Sequence, residues 1–226
     1  MMKKTFLLIT FIALIGLLVR YLAMTSKTTT ANAPQPSQTP EKSLKVNSKP
    51  TLGQTIQNLL TESQGTYGIV VKNLKTRETY YYNEHKVFKS ASLYKLWVMG
   101  EIFNQIQNKN LNEQEVDSAL EQMITVSDNY HAILLSNMVG LSNISNYLVD
   151  QKFNESSLGS DIVDPTTTPN DIALFFEKLY NRKLENGDNT QKMLDLLKKQ
   201  KIKYKIPKYL PEGAIIAHKT GDVDTF

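Results

Sequence analysis

The chain has 226 residues, a formal net charge of +4 and no cysteine. This length suits one domain with a full-sized core plus appendages better than two full domains. The absence of cysteine excludes disulfide bonds, thiol catalysis, cysteine metal ligands and a lipid-modified cysteine.

The N-terminal residues have the layout of an export signal or a short membrane anchor. Residues 1–4 are basic at positions 3 and 4, and residues 5–19 form an uncharged apolar run. The sequence Ala31-Asn-Ala33 resembles a cleavage site, but Pro34 directly after it disfavours cleavage. We therefore predict an exported, extracytoplasmic protein in which residues 1–24 are a signal peptide or membrane anchor, with retention favoured over cleavage and secretion.

The positive charge lies in this N-terminal part. Residues 1–30 hold four of the 26 basic residues and no acidic residue, which leaves 22 basic against 22 acidic residues in the rest. A neutral body gives no compositional support for nucleic-acid binding, and we predict no such partner. Residues 25–50 are rich in Thr, Ser, Pro and Gln and predict a disordered linker, so that the folded domain spans residues 51–226.

The first half of this domain alternates helical and strand patterns. Apolar residues at helical spacing predict an opening helix over Thr51 to Glu62. The segments Gly65 to Leu74 and Glu78 to Tyr82 are rich in β-branched and aromatic residues, which predicts a hairpin. A second apolar stripe predicts a helix from Ser92 to about Ile106, with Ser92 near its positive N-terminal end.

The second half is mainly helical. The segment Asp164 to Pro169 is interpreted as a loop that ends in a helix start, with Thr168 as N-cap. A short strand is predicted over Ala214 to Lys219. Further helices are predicted over residues 113–124, 131–139, 144–151 and 190–200. The order indicates an α+β fold in which a helical block is inserted between parts of one antiparallel sheet.

The pair Ser92-x-x-Lys95 has two interpretations from its spacing alone. Three residues along a helix place a hydroxyl and an amine on one face, as a nucleophile and its base require. The same pair also occurs by chance at ordinary helix starts. Taken alone, the pair favours the ordinary helix start.

Three short motifs follow one another in the chain: Ser92-x-x-Lys95, Ser127-Asp-Asn129 and Lys219-Thr-Gly221. Together they resemble the class A serine β-lactamase and penicillin-binding-protein superfamily over about residues 51–226. The resemblance implies a β-lactamase/transpeptidase-like fold, in which an antiparallel sheet carries an inserted all-helical subdomain. The resemblance also favours the interpretation of Ser92 as a nucleophile with Lys95 as its base.

The resemblance assigns a role to each motif. Ser92 would attack a lactam or amide carbonyl, a neutral Lys95 would accept its proton, and Ser127 would pass a proton to the leaving nitrogen. Asn129 would bind the amide side chain of the substrate. Its carboxylate would be held by Lys219 and Thr220, next to Gly221, and the oxyanion would lie between the backbone amides of Ser92 and Asp222.

Two positions depart from the class A pattern. The only candidate for the glutamate that activates the deacylating water is Glu155, in Glu155-Ser-Ser-Leu158, which lacks the asparagine of the class A motif. Ile133 stands where class A enzymes usually have an asparagine. Asp222 is a further departure. It is an acidic residue next to the expected carboxylate pocket, and it would repel a substrate carboxylate unless its side chain points away.

These departures leave the substrate open. A β-lactam opened through an acyl-enzyme is the first candidate, and a D-Ala-D-Ala cell-wall peptide with slow β-lactam deacylation is the second. A catalytically inert fragment or wall-binding protein is the third. A Ser-His-Asp triad is disfavoured because no Gly-x-Ser-x-Gly motif is present.

We expect a monomer without metal or organic cofactor. In the class A family, two more sheet strands and a closing helix follow the Lys-Thr-Gly strand, whereas this sequence ends at Phe226. We therefore expect a C-terminally truncated catalytic domain that folds poorly in isolation.

Overall fold

The computed structural model describes residues 50–160 and 162–222. The predicted leader, residues 1–24, and the predicted linker up to residue 49 lie outside the described residues. Among the described residues, no single helix has the length and apolar character that crossing a membrane requires. One bent helix pair, Asn129–Val139 with Leu141–Asp150, is long and apolar enough by length and composition alone.

The chain begins with helix α1 (Leu52–Thr61) and a hairpin. Thr51 caps α1 in a capping box: its hydroxyl accepts a bond from the Gln54 amide at 3.2 Å, and the Gln54 side chain accepts from the Thr51 amide at 2.9 Å. Strands β1 (Ile69–Lys72) and β2 (Thr79–Tyr82) pair antiparallel, with Ile69 opposite Tyr82. The predicted first helix and hairpin are therefore confirmed.

A buried helix organises the core. Helix α2 (Lys95–Gln107) buries every residue from Lys95 to Phe103, as expected of a helix surrounded by other elements. Around it pack α3 (Glu113–Thr125), α4 (Asn129–Val139) and α5 (Leu141–Asp150). The indole of Trp97 contacts the rings of Phe153 and Phe175, with centroids 4.8 and 5.4 Å apart.

The remaining helices close the block. Helix α6 (Pro169–Tyr180) starts at Thr168, whose hydroxyl accepts a hydrogen bond from the Asp171 amide at 3.2 Å, and Pro169 occupies the first turn as predicted. Helix α7 (Gly187–Lys198) begins three residues before the predicted start, at the N-cap Asn186. Helices α4 and α5 also begin earlier than predicted, because Asp128 caps α4 and α5 follows directly after Gly140.

Two predictions about the sheet were wrong. Thr166–Thr167, interpreted as loop, forms strand β4 and pairs with β3 (Phe88–Lys89), which holds the turn before Ser92 in place. Two-residue strands have no periodicity that a sequence could display. Conversely, residues 214–219, which were predicted to be a strand, form no strand pairing with any described residue.

Candidate active site

Ser92 lies in a tight turn immediately before the core helix. Residues Ala91–Tyr94 form a 3₁₀ turn, and the amide of Lys95 donates to the carbonyl of Ser92. Ala91 has φ 45°, in the left-handed region, which costs a non-glycine residue on the order of 1–3 kcal/mol and often marks functional turns. The Ser90 amide anchors the turn by donating to the Pro165 carbonyl at 2.8 Å. Ser92 itself is half-buried.

Lys95 is fully buried and its ammonium reaches the Ser127 loop. Its Nζ donates to the Ser127 carbonyl at 2.5 Å and to the Asn129 side-chain oxygen at 2.6 Å, and it lies 3.3 Å from the Ser127 hydroxyl. No hydrogen bond joins Lys95 to the Ser92 hydroxyl among the described residues. Lys95 therefore bridges the turn of Ser92 and the turn of Ser127.

Lys219 approaches the same serine from another part of the chain. Its Nζ donates to the Ser127 hydroxyl at 2.7 Å and to the Thr220 carbonyl at 2.8 Å. Both Lys219 and Thr220 are buried, at 8% and 7% exposure. All three sequence motifs thus converge on the Ser127 hydroxyl.

Gly221 brings the Lys219 segment against the turn of Ser92. A β-carbon at this position would lie 2.8 Å from the Ser90 carbonyl oxygen and 3.0 Å from the Leu93 side chain. Real β-carbons essentially never come so close to backbone, so only glycine permits this approach.

The two lysines have unusual acidity. Burial lowers the pKa of Lys95 to about 8, although the nearby Asp128 carboxylate opposes the shift. Burial, together with the charge of Lys95, lowers the pKa of Lys219 to about 7. Because the two ammonium groups interact, they titrate as a pair and the pair releases its first proton near neutral pH.

Asp128 braces the turn that carries Ser127. Its carboxylate accepts hydrogen bonds from the His131 amide at 2.8 Å and from the His131 ring at 2.7 Å. These bonds lower the pKa of Asp128. They cap α4 and fix Ser127, whose φ of 61° also lies in the left-handed region.

Asp222 directs its carboxylate towards a neighbouring loop. Lys205 forms an ion pair with it, and the Tyr204 hydroxyl donates to it at 2.8 Å; these two bonds, Lys205 first, lower the pKa of Asp222. Lys205 also donates to the Gly221 carbonyl at 3.2 Å. Tyr204 and Lys205 were not identified from sequence, since no motif marks them and their contacts span 16 to 18 residues of irregular chain.

Glu155 lies in a separate cluster. One carboxylate oxygen is 2.7 Å from the His85 ring nitrogen, and the other accepts from the Thr168 hydroxyl at 2.7 Å. The hydrogen bond from Thr168, aided by His85, lowers the pKa of Glu155, against the opposing effect of desolvation. The structure gives this carboxylate no hydrogen bond to Lys95, Ser127, Asn129 or Lys219.

The described residues contain no group of His, Cys, Asp or Glu side chains arranged to hold a metal ion. Hydrogen bonds join Lys95, Ser127, Asn129 and Lys219 in one site, and Gly221 packs against the turn that carries Ser92. Among the described residues, neither the Ser92 hydroxyl nor the Glu155 carboxylate is hydrogen-bonded to these groups, and Asp222 directs its carboxylate away from them.

A protein-family model matches most of the chain. The model of the β-lactamase enzyme family matches residues 51–117 and 113–226. Among curated proteins, none matches the chain significantly.

Solved structures share the fold. The chain is similar to PBP-A (21% identity, 75% of this chain and 76% of that one, TM-score 0.69). It is also similar to a β-lactamase from Sphaerobacter thermophilus DSM 20745 (21% identity, 69% of this chain and 73% of that one, TM-score 0.63). A β-lactamase from Chitinophaga pinensis DSM 2588 is also similar in fold (16% identity, 76% of this chain and 79% of that one, TM-score 0.68).

Fold and family together define a β-lactamase-type hydrolase. The chain belongs to the β-lactamase enzyme family, and the resemblance to class A β-lactamases and penicillin-binding proteins is confirmed. The predicted α+β, β-lactamase/transpeptidase-like fold is confirmed as well.

Proposed function

We propose that the protein opens β-lactam rings through an acyl-enzyme on Ser92. The observation that carries the proposal is the Ser127 hydroxyl, held 2.7 Å from Lys219 and 3.3 Å from Lys95 beside the turn of Ser92. An alcohol, two amines of lowered pKa and a relay hydroxyl are the groups that acyl transfer requires.

Acylation begins with a proton transfer from Ser92. A neutral Lys95 has two N–H donors, which match its bonds to the Ser127 carbonyl and the Asn129 oxygen, and its lone pair is then available to the Ser92 hydroxyl. The Ser92 oxygen bonds to the lactam carbonyl carbon, and the resulting oxyanion accepts hydrogen bonds from the backbone amides of Ser92 and Asp222.

Ring opening needs a proton on the leaving nitrogen. The Ser127 hydroxyl donates its own proton to that nitrogen as the C–N bond breaks, and regains one from the lysine pair. The product is an ester on Ser92 and a free amine within the same substrate molecule. Meanwhile Lys219 and Thr220 hold the substrate carboxylate, which raises the pKa of Lys219 again and leaves Lys95 as the base.

The position of Glu155 favours slow hydrolysis of this ester. A carboxylate bonded to His85 and Thr168, with a lowered pKa, is a weak base for water. This observation supports a second candidate, a penicillin-binding enzyme that cleaves D-Ala-D-Ala cell-wall peptides and releases β-lactams slowly. PBP-A, among the similar structures, has been captured in a variant form as an acyl-enzyme with penicillin G.

We further propose that the protein acts outside the cytoplasm, tethered to the membrane by residues 1–24, as a monomer that encounters β-lactams or cell-wall peptides. The basic start and apolar run of residues 5–19 support this location.

The test follows adduct mass over time in the full-length chain, with a chromogenic cephalosporin and a labelled penicillin. Rapid colour change with a transient adduct supports the β-lactamase. A long-lived adduct on Ser92 supports the penicillin-binding peptidase. No adduct at all would indicate an inert or wall-binding protein, and an adduct that persists in Ser92→Ala would overturn the assignment of the nucleophile.

A further inference from the structure

A lysine-rich segment begins at the C-terminal end of α7. Between Asp195 and Glu212 the chain has six lysines and no acidic residue. They are Lys198, Lys199, Lys201, Lys203, Lys205 and Lys208. The body of the protein is neutral overall, so this segment concentrates positive charge at one place on its surface.

Most of this charge is available to a partner. Lys198 pairs with Asp195 and Lys205 with Asp222. The other four lysines are exposed and form no ion pair with any residue in the described ranges. They are Lys199, Lys201, Lys203 and Lys208.

Apolar side chains project from the same segment. In the 3₁₀ turn Ile206–Tyr209, Ile206 is 74% exposed and Tyr209 is 78% exposed, with Lys208 Nζ 5.5 Å from the Tyr209 ring centre. Exposed aromatic and aliphatic groups among lysines are typical of surfaces that lie at a membrane interface, where rings sit at headgroup depth.

We propose that this lysine-rich segment docks on an anionic phospholipid surface, the membrane to which the chain is proposed to be anchored. The inference rests on that proposed anchor. The predicted anchor and the folded domain are joined by the 26 residues of 25–50, and a random coil of 26 residues spans roughly 30 Å, about the diameter of a small domain. The tether therefore keeps the segment within reach of the bilayer at a high effective concentration.

The expected strength fits a reversible contact. Each lysine near an anionic leaflet raises surface partitioning by roughly five-fold, so that four exposed lysines together contribute on the order of a hundred-fold or more. High salt screens this attraction within a Debye length.

The absence of cysteine allows a direct test on the full-length chain. A single fluorophore is attached at Ile206→Cys or, as control, at the exposed Ser145→Cys on α5. The chains are reconstituted in phosphatidylcholine vesicles with or without phosphatidylglycerol, and both kinds carry headgroup nitroxide quenchers. At position 206 we expect quenching to be several-fold stronger in vesicles with phosphatidylglycerol than in vesicles without it, and we expect high salt to remove this difference. At position 145 quenching should be equal in the two kinds of vesicle. Equal quenching at position 206 in both vesicles would overturn the proposal.

Two charge-matched variants assign the effect. Replacing the four exposed lysines of the segment by Gln should abolish the difference between vesicles. Replacing four exposed lysines elsewhere should preserve it, and if both variants behave alike, the segment is not the docking surface. The control lysines are Lys75, Lys86, Lys109 and Lys183.

Further readouts separate this proposal from the others. Flotation with neutral vesicles at high salt tests the anchor alone, and cephalosporin turnover tests the proposed activity alone. If the anchor fails, binding of the soluble chain to the two vesicle types still decides on the segment. A response at position 206 to soluble poly(glycerol phosphate) but not to phosphatidylglycerol vesicles would identify an anionic polymer as the partner and overturn the membrane proposal.

Discussion

The ammonium nitrogen of Lys219 lies 2.7 Å from the hydroxyl oxygen of Ser127, although 92 residues separate them in the chain. Lys95 holds the carbonyl of the same serine at 2.5 Å. A single residue thus joins two buried amines. Burial lowers the pKa of both, and the charge of Lys95 lowers that of Lys219 further.

Replacing this serine should slow acylation with little effect on the fold. We expect Ser127→Ala to reduce the second-order rate of acylation by about 10²–10⁴-fold, as removal of a positioned proton relay does. Stopped-flow measurement with a chromogenic cephalosporin checks the value. Ser145→Ala, an exposed serine on α5, is the control and should keep the full rate. A Ser127→Ala enzyme within a few-fold of the wild-type rate would exclude the relay.

The lysine pair predicts the pH dependence of acylation. Lys95 must be neutral to accept the Ser92 proton, and its pKa is about 8 while that of Lys219 is about 7. With saturating substrate, whose carboxylate keeps Lys219 charged, the acylation rate should therefore rise with pH and level off above an apparent pKa of about 8, the value of Lys95. Lys95→Arg, which stays charged, should remove this limb together with most of the rate. A rate that is flat from acidic to alkaline pH would contradict a lysine base.

Glu155 offers a test of slow deacylation. Because both of its oxygens are bonded to His85 and Thr168, we expect Glu155→Gln to lower thermal stability while leaving the lifetime of the penicillin adduct within about two-fold. Adduct mass over time measures the lifetime, and a thermal melt measures stability. Thr168→Val, which removes one partner of Glu155 and also the cap of α6, should lower thermal stability at least as much. An adduct lifetime that grows many-fold in Glu155→Gln alone would identify Glu155 as the deacylation base.

Local signals in the sequence predicted the parts of the site that belong to single elements. The capping pattern at Thr51 and the Thr168-Pro169 pair predicted two helix starts, because caps depend on a few neighbouring residues. The position of Ser127 was predicted only through the order of the three motifs, since its contacts with Lys95 and Lys219 span 32 and 92 residues.

Contacts made by irregular chain escaped prediction. The two-residue strand Thr166–Thr167 has no periodicity, and the left-handed conformation of Ala91 has no sequence signature in a residue other than glycine or asparagine. The ion pair of Lys205 with Asp222 depends on how the lysine-rich segment folds back on the Gly221 backbone, which no local pattern specifies.

The ion pair of Lys205 with Asp222 affects substrate binding. Asp222 follows Gly221 directly, close enough to Lys219 to raise that lysine's pKa, and an uncompensated carboxylate there would compete with the substrate carboxylate for the ammonium. Lys205 and Tyr204 occupy the Asp222 carboxylate instead. We expect Lys205→Ala to raise KM for a carboxylate-bearing β-lactam by about five- to ten-fold, with kcat nearly unchanged, because the bound substrate and the transition state lose the same carboxylate binding.

A double-mutant cycle distinguishes this role from a direct contact between Lys205 and substrate. Asp222→Asn removes the competing charge, so Lys205→Ala should cost little in that background. Lys203→Ala, two residues away on the exposed surface, is the control and should leave KM as it is. If Lys205→Ala raises KM equally with Asp222 or Asn at position 222, Lys205 acts on the substrate itself and the positioning role is wrong.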